Sequence, residues 1–322
     1  MPHTSDTSRA TFLLCSSPVG LAARTPHATV EAEYGDAVVE GSLLTMAHHG
    51  PRKGQKAPCA YTIEECAEAL VAGPNEIVVG LSHLDLDSLG GCMAILGFKP
   101  GSAAFWSLAE FIDLNGAHKI SAWDATAPFT HAARLAAVEM VQAWWAWNSK
   151  DENRVFPARD GSVTDVTARV ELAAIVLTEI VSGYTIHVEA GRAFADREEK
   201  LNAESYRGYA AGVVVRKSRS FVNHLYTLPS LTVRADGDVA KACVGYNEET
   251  GAVTVSYADG VPPGAKTARE IVQDLWGAFA GGHDGIAGSP RDQRMTLEDA
   301  FRAAEAVAAE LARSEVREAL TG

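Results

Sequence analysis

The stretch Ile77–Leu81, Ile-Val-Val-Gly-Leu, constrains this chain more than any other feature. A continuous apolar run of strand length, led in by Pro74 and rich in valine, predicts a strand buried on both faces, and such strands belong to parallel sheets. From Ser88 the pattern turns helical through Gly90 and Gly91. A buried strand, a tight turn and a helix form the opening βα unit of a doubly wound parallel sheet. The expected fold class is therefore α/β. Between strand and helix lie His83, Asp85 and Asp87, at alternating positions. If the backbone there stays extended, the three side chains share one face, just past the carboxyl end of a buried strand. Ligand crevices in open α/β sheets sit at that end. Two carboxylates and an imidazole suit a divalent cation with oxygen-rich ligation, Mn²⁺ or Mg²⁺. The plainer alternative has Asp87 and Ser88 capping the helix and Asp85 solvated.

The flanking sequence supplies further expectations. Residues 28–45, ATVEAEYGDAVVEGSLLT, alternate around a Gly-Asp turn and predict a β-hairpin. Thr62 and Glu65 have the spacing of a capping box for a helix that ends at Gly73. Helical patterns recur over Ala103–Ile112, His131–Trp147, Thr164–Ile180 and a charged connector, Gly191–Ala211. Beyond it come strands, a hairpin at Glu249–Gly251, a helix running into glycines, and a terminal amphipathic helix capped by Thr296. A chain of 322 residues exceeds one ordinary domain, so two are expected, 1–205 and 206–322, with the first 70 residues unassigned.

Composition narrows the partners. A net charge of −13 argues against a wide, sequence-independent grip on long nucleic acid. No apolar run approaches the ~20 residues of a membrane span, and the N-terminus lacks the pattern of a signal peptide. Five scattered cysteines without a CxxC pair point to a reducing, cytoplasmic setting.

The segment SHLDLDSLGG resembles the first motif of the DHH phosphoesterase superfamily, His-x-Asp-x-Asp-x-x-Gly. FAGGHDGIAGSPR, Phe279 to Arg291, resembles the Gly-Gly-His signature of the associated DHHA1 domain. The two stand in the family's order and on either side of the connector. The resemblance implies a DHH-like catalytic domain followed by a smaller α/β DHHA1-like domain. It implies hydrolysis of a small phosphorylated substrate (a nucleotide, a short oligonucleotide or a phosphorylated metabolite) with one or two Mn²⁺ or Mg²⁺ ions. His83, Asp85 and Asp87 would be ligands, while Gly281, Gly282 and His283 would contact substrate. The Asp-His-His tripeptide that names the family is absent, and its nearest stand-in is Asp113 with His118. That absence keeps open a protein that binds a nucleotide or partner without hydrolysis, or one that turns its metal to a non-phosphate reaction.

Other residues carry two readings each. Of the adjacent pair His48 and His49, one could enter the cleft, although a surface loop is the plainer assignment. Asp165 is either a later ligand or helix-terminal decoration, and His187 either a strand histidine or a late ligand. Arg216, Lys217 and Arg219 suit an anion or interdomain salt bridges. Trp144, Trp145 and Trp147 cover more than one helix face, so part of that surface is a candidate homodimer contact.

Overall fold

The computed structural model describes residues 9–321 except 35–36, 49–51, 53, 159, 219–238, 279, 283 and 291–292. The protein is α/β with mixed sheets and divides into two compact units. One comprises residues up to Leu114 with Ala122–Ala195, the other Asn115–Ser121 with Asp196 onward.

In chain order the first unit holds β1 (Arg9–Leu14), α1 (Pro18–Ala22), β2 (Ala28–Val30), β3 (Glu33–Tyr34), β4 (Ala37–Val38), β5 (Leu44–Met46), α2 (Ile63–Leu70), β6 (Glu76–Leu81) and α3 (Leu86–Ile95). Next come α4 (Ala103–Asn115) and α5 (Ile120–Thr126), at which the chain passes between the units, then α6 (His131–Asn148), β7 (Thr164–Asp165) and α7 (Thr167–Val181). Its main sheet has the order β5-β2-β6-β1-β7. The first four strands run parallel, and β7 is antiparallel at the edge. The valine-rich run becomes β6, paired on both sides, with Val79 and Leu81 fully buried. Phe12, Leu14, Met46, Leu89, Phe105 and Leu177 fill the surrounding core, which is the apolar burial that holds the unit together.

The expected hairpin over 28–45 is corrected. Only β3 and β4 form an antiparallel pair, whereas β2 and β5, on either side of them, pair in parallel. The chain reverses at the β3–β4 pair, and Gly41, between β4 and β5, has a φ of 89° that is open to glycine at no steric cost. β5 runs in the direction of β2.

The second unit takes over within α8 (Thr185–Ser205) and contains β8 (Tyr206–Ala210), β9 (Val213–Ser218), β10 (Ala242–Asn247), β11 (Ala252–Tyr257), α9 (Ala268–Trp276), β12 (Gly281–Gly282), β13 (Ile286–Gly288) and α10 (Leu297–Thr321). Its mixed sheet runs β12-β13-β11-β10-β9-β8, with β9 and β10 parallel. Val215, Val244, Val255, Ile271, Val307 and Leu311 form its core. The connector helix starts and ends earlier than its charge pattern predicts, because Tyr206–Ala210 pairs with β9 as a strand. His187, expected in a strand, lies on α8 with Nε2 2.8 Å from Glu179 Oε2. Thr164 and Asp165 belong to β7 rather than to a helix, and Asp165 Oδ1 accepts the Thr167 N–H that opens α7. Among the described residues no single helix is long and apolar enough to cross a membrane; α7 and α8, bent at 92°, meet the length and composition only as a pair.

Candidate metal centre

Three neighbouring parallel strands, β5, β2 and β6, end on the same side of the sheet. Just past those ends stand His48, Glu31 and His83. Asp87 comes from the first turn of α3, and Asp113 from the end of α4. Four of these groups converge on one point. His48 Nε2 lies 3.3 Å from Glu31 Oε1, 3.3 Å from Asp87 Oδ2 and 3.0 Å from Asp113 Oδ2. Glu31, His48 and Asp87 are each 2 % exposed.

Three carboxylates crowd one imidazole in this group. One Nε2–H can be donated well to only one of the three carboxylates around it. Buried charge of one sign is costly without a cation. Burial disfavours a protonated His48, but Asp113, Asp87 and Glu31 outweigh it and hold the imidazole pKa up at about 10. The spacing also suits a bound cation. Ligand atoms ~2.1 Å from an octahedral cation stand about 3.0 Å apart, the separation found between Nε2 and the nearest carboxylate oxygen. One atom from each of Glu31, His48 and Asp87 lies within 4.8 Å of the others. The donor set, one imidazole with three carboxylates, fits a hard or borderline divalent ion such as Mn²⁺ or Mg²⁺.

The backbone at Glu31 is strained to reach this point. Its φ is 49°, a left-handed conformation in which a non-glycine residue costs about 1–3 kcal/mol. Both neighbouring strands hold it there: Glu31 N–H donates to Met46 O at 2.9 Å, and the Ser82 hydroxyl donates to Glu31 O.

The alternating triplet does not share one face. The chain turns helical at Leu86, two residues earlier than its pattern predicts, and Asp85 becomes the N-cap of α3. Asp85 Oδ1 accepts from Ser88 N–H at 2.9 Å, and Ser88 Oγ accepts from Asp85 N–H at 2.8 Å. Asp87 is carried round the first turn and buried, while His83 and Asp85 stay partly exposed. His83 Nε2 lies 3.4 Å from Asp85 Oδ2, and its Nδ1 lies 2.9 Å from Ser82 Oγ. Since the single Ser82 proton goes to Glu31 O, His83 Nδ1 must be the donor to Ser82. Burial works against the His83 imidazolium, yet Asp85, Glu31 and Asp113 raise its pKa to about 9. Burial likewise works against the Asp85 carboxylate, but His83 and the Ser88 N–H hold its pKa below the usual range.

The remaining expected site residues lie elsewhere. His118 belongs to the second unit, with Nε2 3.2 Å from Ala258 O. Arg216 is fully buried, 3.4 Å from Ser205 Oγ and over the Tyr206 ring, so it is not on an open edge awaiting an anion. Lys217 pairs with Glu248 at 2.7 Å. Gly281 and Gly282 form β12, and the Gly282 carbonyl accepts from Arg269 Nε at 2.7 Å. Arg219, His49 and His283 lie outside the described residues. Of the three clustered tryptophans only Trp144 is fully buried, with Trp147 5.1 Å from it, ring to ring.

Comparison of the chain with protein-family models returns no match, and comparison with curated proteins returns none either. Sequence reasoning missed Glu31 altogether and left His48 between a place in the cleft and, as the plainer reading, a surface loop. The one available signal was a histidine pair and a lone glutamate, each just beyond a short β-prone segment.

Proposed function

We propose that this protein is a divalent-cation-dependent phosphoester hydrolase of the DHH type, acting on a small nucleotide, short oligonucleotide or phosphorylated metabolite. In this reading the first unit is a doubly wound catalytic domain, the second is a DHHA1-like substrate domain, and five free cysteines fit a reducing cytoplasm. One observation carries it: three carboxylate oxygens stand within 3.3 Å of a single buried imidazole nitrogen at the carboxyl ends of parallel strands.

Glu31, His48, Asp87 and Asp113 would hold the ion. A divalent cation held there would acidify water and offset the charge that builds on a phosphoryl group. His83 has a different task. Asp85 orients its ring through Nε2 and Ser82 accepts its Nδ1–H, so at neutral pH the imidazolium holds its Nε2–H against Asp85 at the edge of the cluster. A leaving oxygen that takes the place of Asp85 at Nε2 would receive that proton, the role of a general acid. The buried carboxylates exclude bulk water from the centre, and the partly exposed His83–Asp85 pair leaves one side open to a small ester.

Titration with Mn²⁺, followed by a phosphate-release screen over mononucleotides, dinucleotides and phosphorylated sugars, tests the proposal. The expected result is cation-dependent turnover that Asp87→Asn abolishes. Tight Mn²⁺ binding with every ester inert would favour a non-hydrolytic binding protein, and failure to bind Mn²⁺ or Mg²⁺ would remove the centre itself.

A further inference from the structure

We infer that Lys99 is a positioning residue for the cation centre, acting on Asp87 through the backbone of Cys59; the inference rests on the cation-site reading above. Asp87 has two carboxylate oxygens with different duties. Oδ2 faces His48 Nε2 at 3.3 Å, and Oδ1 accepts the backbone N–H of Cys59 at 2.9 Å. The direction in which Oδ2 points therefore depends on where Cys59 sits.

Cys59 lies in a single 3-10 turn, Pro58–Ala60, with the poorer hydrogen-bond geometry of such turns. Its N-cap residue, Ala57, makes no side-chain capping bond. Two backbone bonds, Ala60 N–H to Ala57 O at 2.9 Å and Tyr61 N–H to Pro58 O at 3.1 Å, close the turn, and Lys99 braces it through its carbonyls. The ammonium donates to the carbonyls of Cys59 and Tyr61, the latter at 2.8 Å, and lies 4.5 Å from the centroid of the Trp106 ring. Charge-assisted bonds of this kind are stronger than neutral ones, and an aromatic face favours the same cation.

On the opposite side the turn is pressed against α3. A Cβ placed on Gly90, one helical turn after Asp87, would come within 2.6 Å of Cys59 Cβ and 2.8 Å of Cys59 Cα. Helix and turn thus meet with no space between them, and a lysine holds the outer side. The Cys59 thiol contributes no charge of its own, because burial and the nearby Asp87 push its pKa far up. Its part is played by the backbone N–H. Partners one bond removed from a metal ligand typically alter ion affinity by about 10–100-fold, and Lys99 acts one step further out through a rigid turn.

Lys99→Met keeps the aliphatic stem and removes the donors. The experiment measures the Mn²⁺ dissociation constant, from the signal of free Mn²⁺ in electron paramagnetic resonance, alongside thermal unfolding of the ion-free protein. Val141→Ala, a cavity in the buried face of α6, supplies a control for general destabilisation. Lys99→Met should weaken Mn²⁺ binding about 10-fold or more, Lys99→Arg should recover most of it, and Val141→Ala should leave it within twofold. If Lys99→Met does not fold, Lys99→Gln is read in the same way. Affinity within twofold of wild type in Lys99→Met, or an equal loss in Val141→Ala, overturns the role of Lys99 and leaves the centre standing. Absence of Mn²⁺ binding by the wild-type protein overturns both.

Discussion

Two acidic groupings stand side by side at the same end of the sheet, and they differ in what holds their charge. In His83–Asp85 the imidazole and carboxylate match one to one, both are partly exposed, and Asp85 also accepts the Ser88 N–H at the start of α3. This pair is complete as protein structure. In Glu31–His48–Asp87–Asp113 three carboxylates face one imidazole, three of the four residues are almost wholly buried, and Glu31 stands in a strained backbone conformation. Clustered like charge and a strained backbone both weigh against the bare fold. A grouping that lowers the stability of the bare protein is where a ligand's binding energy has somewhere to act.

The sharpest way to break this contrast is to measure ion affinity in both groupings. His48→Ala and Asp87→Asn should each weaken Mn²⁺ binding by at least about 100-fold, beyond the range of an outer-sphere change. His83→Ala should cost less than about 10-fold in affinity while lowering turnover more. Equal losses in the two groupings would merge them into one site.

Packing beneath the site gives the next largest effect. Gly90→Ala forces α3 away from the Cys59 backbone and should destabilise the protein by about 1–3 kcal/mol, with weakened ion binding in the same variant. Unfolding in denaturant and Mn²⁺ titration check the two halves separately.

Without ion, stability should move in opposite directions. Glu31→Gln removes one of three clustered carboxylate charges and should stabilise the ion-free protein by about 1 kcal/mol while abolishing its stabilisation by Mn²⁺. Asp85→Ala removes a helix cap and should cost ~1 kcal/mol with or without ion. A destabilised Glu31→Gln protein would mean that the buried carboxylate supports the bare fold.

The smallest effect is in pH. The Asp85 pKa is depressed in the folded protein, so its stabilising contribution is present above the ordinary carboxylate pKa and fades as pH falls through the lower folded value. The acid limb of stability, measured below about pH 4, should therefore be shallower in Asp85→Asn than in the wild-type protein.

Much of the local structure was legible. β6, the helix capped by Thr62 and Glu65, α4, α6 and the β10–β11 hairpin follow from apolar periodicity and capping chemistry, which act over a few residues. Where neighbours in space outbid those signals, the reading slipped: Tyr206–Ala210 joined a sheet, and the segments around β3 and β4 became parallel strands. The candidate centre divides in the same way. Asp87 was visible because an acidic residue straight after a buried strand is locally costly. Glu31 and His48 carry no such mark, since each is an ordinary polar residue beyond a three-residue strand.

By itself, then, the sequence determined that a buried strand would run into a helix with carboxylates at the junction, because hydrophobic period and capping are properties of contiguous residues. Only the tertiary structure decided which partners those carboxylates would meet. Pairing β2 between β5 and β6 brings Glu31, His48 and Asp87 together, and a left-handed residue turns Glu31 inward. Strand order and a strained φ are set by packing across the whole sheet, which no short stretch of sequence encodes.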